Sequence, residues 1–236
     1  MTARWRGWAA IRPGRLYYGG QIGAADLHAH HAVQLLIGEE LILRGADGEA
    51  HAMPAALIPA NTPHAIVRGT SDGLLALIDP AQTDQSAGFP PPGSAAAWRV
   101  EVEVPSDRGL PSLTALVDHV LGATTPPPRH PALNDAVRIV AAMLPGQARL
   151  ADVARTVHMS ESRLSHLFKE EFGLPFRPYV LWVRLGAALS SLSDGATLTE
   201  AAHTAGFSDA AHLTRAVRRM MGAAPSFLAA EVRWLS

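Results

Sequence analysis

Leu198-Thr199-Glu200-Ala201-Ala202-His203-Thr204-Ala205-Gly206-Phe207-Ser208-Asp209-Ala210-Ala211-His212-Leu213-Thr214-Arg215 is the stretch whose reading decides the fold. Thr197 precedes it, and Thr197 with Glu200 makes a T-x-x-E capping box that starts a helix. Gly206 falls where that helix must stop, because a left-handed residue at a helix end favours glycine. Phe207 is placed to plug the angle between two helices. Ser208 is expected to cap the second of them, with Asp209 in its first turn. Helix, tight turn, helix is the order of a helix-turn-helix unit.

The unit occurs twice. Leu150-Ala151-Asp152-Val153-Ala154 leads to Ser160 at the spacing that separates Leu198-Thr199-Glu200-Ala201-Ala202 from Ser208. After each serine comes an amphipathic helix that ends at a glycine, Gly173 or Gly222. Its apolar positions are Leu164, Leu167, Phe168 and Phe172 in one copy and Leu213, Ala216, Val217 and Met221 in the other. In the first copy Val157, Met159, Ser160 and Glu161 take the turn and cap roles, and His158 replaces the turn glycine. Histidine tolerates positive φ better than a β-branched residue does.

What stays outward is Ser162, Arg163, Ser165, His166 and Lys169 on one second helix, and Ala211, His212, Thr214, Arg215, Arg218 and Arg219 on the other. Arginine can pair bidentately with guanine, Ser, Thr and His can reach base edges, and Ala and the Thr methyl can meet a thymine methyl. Residues further along should contact phosphates. A solvated helix face would account for any one of these residues. It accounts less well for a duplicated unit with caps and a polar face in both copies. Pro178 to Leu192 reads as one long helix, a connector able to hold two recognition helices for successive major grooves about 34 Å apart.

Outward from the repeat, the pattern changes. Leu110, Leu113, Leu116, Val117, Val120 and Leu121 follow helical spacing, giving an amphipathic helix whose stripe could pack on its own domain or form a dimer seam. Thr124-Thr125-Pro126-Pro127-Pro128 reads as a stiff linker. Residues 15 to 104 carry short apolar runs broken by Gly, Pro, Asn and Asp, which reads as β. The expected strands include Ala32–Ile37, Leu41–Arg44, Ala56–Ile58, Leu74–Asp79 and Val100–Val104, with Gly45-Ala46-Asp47-Gly48 as a turn and 81–97 as a loop.

The composition is globular, with only 17% charged residues and no cysteine, which excludes disulfides, thiolate metal sites and a Cys nucleophile. No segment approaches the ~20 apolar residues of a membrane helix, and a soluble cytoplasmic protein is expected. From Pro131 onward there are 11 basic against 9 acidic residues, while the remainder is net acidic. No nucleophile elbow, phosphate-cradling loop or zincin motif is present, and no catalytic residue is assigned.

Residues from about Leu133 to Leu228 resemble the DNA-binding domain of the AraC/XylS family. The resemblance rests on 150–154, Ser-Arg-Leu-Ser-His-Leu-Phe-Lys (162–169), Gly-Leu-Pro-Phe-Arg-Pro-Tyr (173–179), Ala-Gly-Phe-Ser-Asp-Ala-Ala-His-Leu-Thr-Arg (205–215) and Pro225-Ser226. It implies base contacts for Ser162, Ser165, His166, Ala210, Ala211, Thr214 and Arg215. Ser160, Arg163, Lys169, Ser208, His212, Arg218 and Arg219 complete the expected DNA-contacting set. Family members usually have Phe at the positions of Val217 and Met221, and the apolar substitutes keep the core role with looser packing.

His28 and His30 form an H-x-H pair that would share one side of a β-strand, with His31 on the other. Gln34 follows, and His64 comes from a later strand. The pattern resembles a cupin barrel, with Gln34 where cupins carry a carboxylate. Many AraC-type regulators carry such a domain for a small effector. His28, His30, Gln34 and His64 are therefore expected to bind an effector; His28, His30 and His64 could instead hold a divalent transition metal, or serve structure alone.

The expected fold is α+β in two domains, a cupin-like β-barrel over 1–104 and an all-α double helix-turn-helix domain over 131–236, joined by a helix and Pro-rich linker over 105–130. The expected function is sequence-specific transcriptional regulation under an effector, with double-stranded DNA as partner and RNA polymerase and a second copy of the chain as further candidates. A cupin-type metal-dependent enzyme with a helical assembly domain is the alternative.

Overall fold

The computed structural model describes residues 5–83, 89–122, 129–222 and 231–235. The 124–128 linker, the Pro225-Ser226 pair and part of the 81–97 loop lie outside them. The chain divides into two compact units, 1–126 with 217–236, and 127–216.

The first unit is one eight-stranded sheet. Its strands are β1 (Arg6–Arg12), β2 (Arg15–Ile22), β3 (Ala25–His28), β4 (Val33–Arg44), β5 (Ala50–Ile58), β6 (His64–Arg68), β7 (Thr70–Ile78) and β8 (Val232–Leu235). The order is β3-β6-β4-β7-β2-β1-β8, with β5 also paired to β4. β4 fuses the two strands expected over 32–44. Its first half pairs with β7 and β5, Val33 opposite Ile78 and Gln34 opposite Ile58. At Glu40, where φ is +57°, the register shifts; Leu41–Arg44 keep β5, and Ile42–Arg44 pair with β6 where the first half paired with β7. A bulge of this kind bends a strand and re-aims its partners.

The expected closed barrel is not formed. The strand path has two ends, β3 and β8, and among the described residues no pairing joins them. Val100–Val104 is not a strand either; its neighbourhood holds only the isolated bridge between Ala56 and Arg99. The turn at 45–48 forms as expected, with Gly48 N bonded to Gly45 O.

Alternation along the strands puts Val33, Leu35 and Ile37 on one face with Ala55, Leu57, Leu74, Ala76 and Ile78. Helix α1 (Leu110–Leu121) covers that face through Leu113, Leu116 and Val117. Of the two roles open to its stripe, packing on its own domain is the one realised. Arg15 pins the helix to β2 through Asp118 at 2.7 Å.

The second unit is helical: α2 (Pro131–Ala142), α3 (Leu150–Thr156), α4 (Glu161–Phe172), α5 (Phe176–Ser193), α6 (Leu198–Thr204) and α7 (Ala210–Met221), whose last turn is counted with the sheet. Phe168 is fully buried, with the rings of Phe172, Phe176 and Tyr179 at centroid distances of 5.0–5.6 Å. The region read as almost entirely helical ends instead in β8, where Val232 and Trp234 pair in parallel with Gly7 and Ala9 of β1.

Gly206 separates α6 from α7 with φ +78°, and a Cβ there would sit 2.4 Å from the carbonyl oxygen of Pro145. Gly206→Ala should therefore destabilise the protein by at least ~1–2 kcal/mol. Gly186 lies inside α5 with open space around it, so Gly186→Ala should stabilise by ~0.5–1 kcal/mol. Equilibrium urea unfolding of both variants checks the pair; equal effects would refute the assignment of the turn.

Candidate nucleic-acid interface

Two helix-turn-helix units are present, α3–α4 and α6–α7. The capping box at Thr197 and Glu200 is fully formed, and the Thr197 backbone and side-chain hydrogen bonds hold the Glu200 carboxyl below its usual range. Ser160 caps α4 by accepting from Arg163 N at 3.2 Å. His158 takes positive φ, +55°, at the turn position expected of it. Phe207 is buried between its helices.

The cap of α7 differs from expectation. Asp209, not Ser208, accepts from the N3 amide, His212 N, at 2.6 Å. Ser208 Oγ instead bonds Asp209 and His212. These bonds depress the Asp209 carboxyl, first through His212 N and then through Ser208, with Arg215 adding to the effect. An aspartate satisfies a helix start better than the preceding serine could because its charge also meets the positive end of the helix.

The apolar stripes point inward as read: Leu164, Leu167, Phe168 and Phe172 on α4, and Leu213, Ala216 and Val217 on α7, are buried. Met220 joins the buried set, and Met221 is only half-buried. On the other side Ser160, Ser162, Arg163, His166 and Lys169 are exposed, as are Ser208, Ala211, Arg215, Arg218 and Arg219. Ser165, Ala210, His212 and Thr214 are half-buried. Thr214 donates its hydroxyl proton to Ala210 O at 2.8 Å, leaving its methyl and two acceptor lone pairs. His166 lies 2.9 Å from Glu170.

Glu161 and Ser165 of α4 line the same groove as Ser208 and His212 of the second unit, a concavity of about 1380 Å³. Arg149, Arg177 and Arg184 stand around it. These three arginines were not singled out in the sequence, because they lie off the recognition helices and only the packing gathers them.

In the sheet unit His28, His30, Gln34 and His64 come together and are buried, as the H-x-H reading anticipated. The route differs. β3 ends at His28, so His30 reaches the cluster from the following loop, held by Asn61 N on its carbonyl at 2.8 Å. His31 is buried as well. Gln34 alternates with Val33 and Leu35, which places the cluster on the sheet face opposite the core under α1. Gln34 Oε1 lies 2.8 Å from His30 Nε2 and 3.0 Å from His64 Nε2. Burial lowers the affinity of all three rings for a proton, to about 4 for His28. Trp98 was missed; its ring centroid is 6.3 Å from that of His64.

A family model described as a helix-turn-helix domain matches residues 153–230. No curated protein sequence matches the chain. Among solved structures, the apo form of a ToxT variant from Vibrio cholerae is 11% identical with a TM-score of 0.57, over 94% of this chain and 99% of that one. ToxT bound to an unsaturated fatty acid, also from Vibrio cholerae, is 12% identical at a TM-score of 0.57, over 92% and 96%. A transcriptional regulator with an AraC-type DNA-binding domain from Chromobacterium violaceum is 27% identical over 42% of this chain and 90% of its own, at a TM-score of 0.41. The ToxT likeness is one of fold, an N-terminal sheet domain followed by a C-terminal helical one, and no helix is long and apolar enough to cross a membrane. With two helix-turn-helix units built and a family model matched over residues 153–230, the helical region is a helix-turn-helix domain.

Proposed function

We propose that the helical unit reads a specific duplex sequence through α4 and α7, and that the sheet unit takes an effector that controls it. The observation carrying the first part is that the second helix of each helix-turn-helix unit, α4 and α7, buries its apolar stripe and leaves a polar face exposed. Ser162, Ser165 and His166 of α4, and Ala210, Ala211, Thr214 and Arg215 of α7, then meet base edges in successive major grooves. Ser160, Arg163, Lys169, Ser208, His212, Arg218 and Arg219 hold the register on phosphates and sugar. The sensing part is 1–104 together with α1 of the 105–130 joining segment, which packs on its sheet, and the reading part runs from 131 through α7, with β8 added back to the sheet. ToxT is seen with an unsaturated fatty acid, which supports ligand control in a regulator of this fold. The His28, His30, Gln34 and His64 cluster is the effector site we assign. A dimer would need a surface other than α1, whose stripe is spent on its own sheet.

Arg215→Ala should weaken binding to the cognate sequence by ~1–3 kcal/mol and relax the preference at one position. Competition titration against single-base variants of the site measures both, and an unaltered preference would refute the role of Arg215.

Lys169→Ala should weaken cognate and random duplexes alike and reduce the slope of log affinity against log salt by about 0.9. Fluorescence anisotropy across a salt series is the measurement; an unchanged slope would remove Lys169 from the interface.

A further inference from the structure

Glu170 is a carboxylate where two general rules disfavour one. It stands in the last turn of α4, and the C-terminal end of a helix already carries partial negative charge. It is also exposed one turn along from His166, on the face assigned above to DNA, whose phosphates repel it. The other acidic residues of the helix have local reasons to be there. Glu161 stands in the first turn, where helix polarity favours it, and Glu171 accepts from His130 N at 3.4 Å. Among the described residues, Glu170 has one polar partner, His166, whose Nε2 lies 2.9 Å from Glu170 Oε1. As a stabilising pair the two are poorly placed. Both side chains are more than half exposed, and the carboxylate lies on the C-terminal side of the i,i+4 pair, the weaker orientation.

What the contact does is fix the ring. A carboxylate oxygen only accepts, and a bare Nε2 at 2.9 Å would set a lone pair against its negative charge. Nε2 therefore carries the proton, and Nδ1 of the neutral ring keeps the lone pair. Nδ1 has no hydrogen-bond partner among the described residues. Duplex DNA offers an acceptor few complements. Its phosphates and sugars only accept, as do guanine N7 and O6 and thymine O4; the donors in the major groove are the exocyclic amines, cytosine N4 and adenine N6. We propose that Glu170 is a positioning residue that holds His166 with Nδ1 as an acceptor, and that His166 thereby reads the exocyclic amine of a cytosine or an adenine. The proposal rests on the reading of α4 as a base-reading helix and names what one of its side chains selects. Without Glu170 the ring can carry its proton on either nitrogen and meet donor or acceptor alike. A carboxylate that repels the duplex and narrows the choice of base trades affinity for specificity.

Binding-site selection with the full-length protein tests this at about pH 8, above the range in which histidine changes charge. The position read by His166 is the one whose preference is lost in His166→Ala, and it should hold cytosine or adenine. Replacing that base by its amine-free analogue, 2-pyrimidinone or purine, should cost the wild type ~2–12-fold in affinity beyond what it costs His166→Ala. Glu170→Ala should move two readouts in opposite directions. Preference at that position should fall by a similar factor, while affinity for random duplex should rise roughly 2-fold or more as a negative charge leaves the interface. Loss of a merely structural contact would lower both. Guanine or thymine at the position, no extra cost of amine removal in the wild type, or wild-type preference in Glu170→Ala would each overturn the proposal. Where an α4 variant fails to fold, the ¹⁵N resonances of His166 in the wild type decide: Nε2 should carry the proton, and a protonated Nδ1 would sink the idea. A preferred sequence untouched by His166→Ala refutes the role of His166 and leaves the DNA-reading function standing. A wild-type chain that selects no sequence at all refutes that function itself.

Discussion

The helices of the C-terminal region each have one apolar stripe to bury, and that burial fixes where everything else points. Leu164, Leu167, Phe168 and Phe172 leave water together, as do Leu213, Ala216 and Val217. Each fully buried large side chain contributes ~1.5–3 kcal/mol, so rotating either helix by even a third of a turn would forfeit several such terms. The polar faces cannot drift while the stripes stay inside. Caps then set where each helix begins: Ser160 for α4 and Asp209 for α7. Recognition of a base edge needs side chains held to within a fraction of an ångström, and here the rigidity comes from the side the DNA would never touch.

Helices were legible in the sequence because their period and punctuation agree. The stripe from Leu110 to Leu121 is complete, and the helix observed spans it between Gly109 and Gly122. The sheet was less legible. β1 and β2 mix arginine, glycine and aromatics, and their pairing, Arg6 opposite Gln21 through Arg12 opposite Arg15, is decided by neighbours rather than by alternation. β4 reads as two strands because Gly38-Glu39-Glu40 interrupts its apolar run; the positive φ at Glu40 makes that interruption a bulge. The closed barrel failed for a related reason. A short motif such as H-x-H carries no information about how the two ends of a sheet meet. β8 lies far along the chain from β1, and a four-residue strand that pairs in parallel across such a gap leaves no local trace.

The site residues divide in the same way. The outward set on α4 and α7 followed from helical geometry; most of it is exposed, while Ser165, His212 and Thr214 are half-buried. The cap of α7 did not follow: serine and aspartate are adjacent and both good caps, and one residue of phase decides between them. For Thr214, the sequence could not reveal that its hydroxyl is already engaged by Ala210. The histidines assembled for a reason only partly foreseen. His28 and His64 face each other because β3 and β6 pair with those two residues in register. His30 arrives from a loop, so strand alternation had no say in its direction.

Helix polarity supplies a reason for Gly222 to end α7 beside His28. The C-terminal end of a helix carries partial negative charge on its last carbonyls. One of the carbonyls there, Gly222 O, accepts from Asp26 N, and Asp26 O in turn accepts a hydrogen bond from His28 Nδ1. The helix end, the strand end and the imidazole therefore form one polar chain, and burial keeps the ring at its far end neutral. A side chain at position 222 would break the sequence by displacing its middle member, and glycine is the residue that leaves room for it.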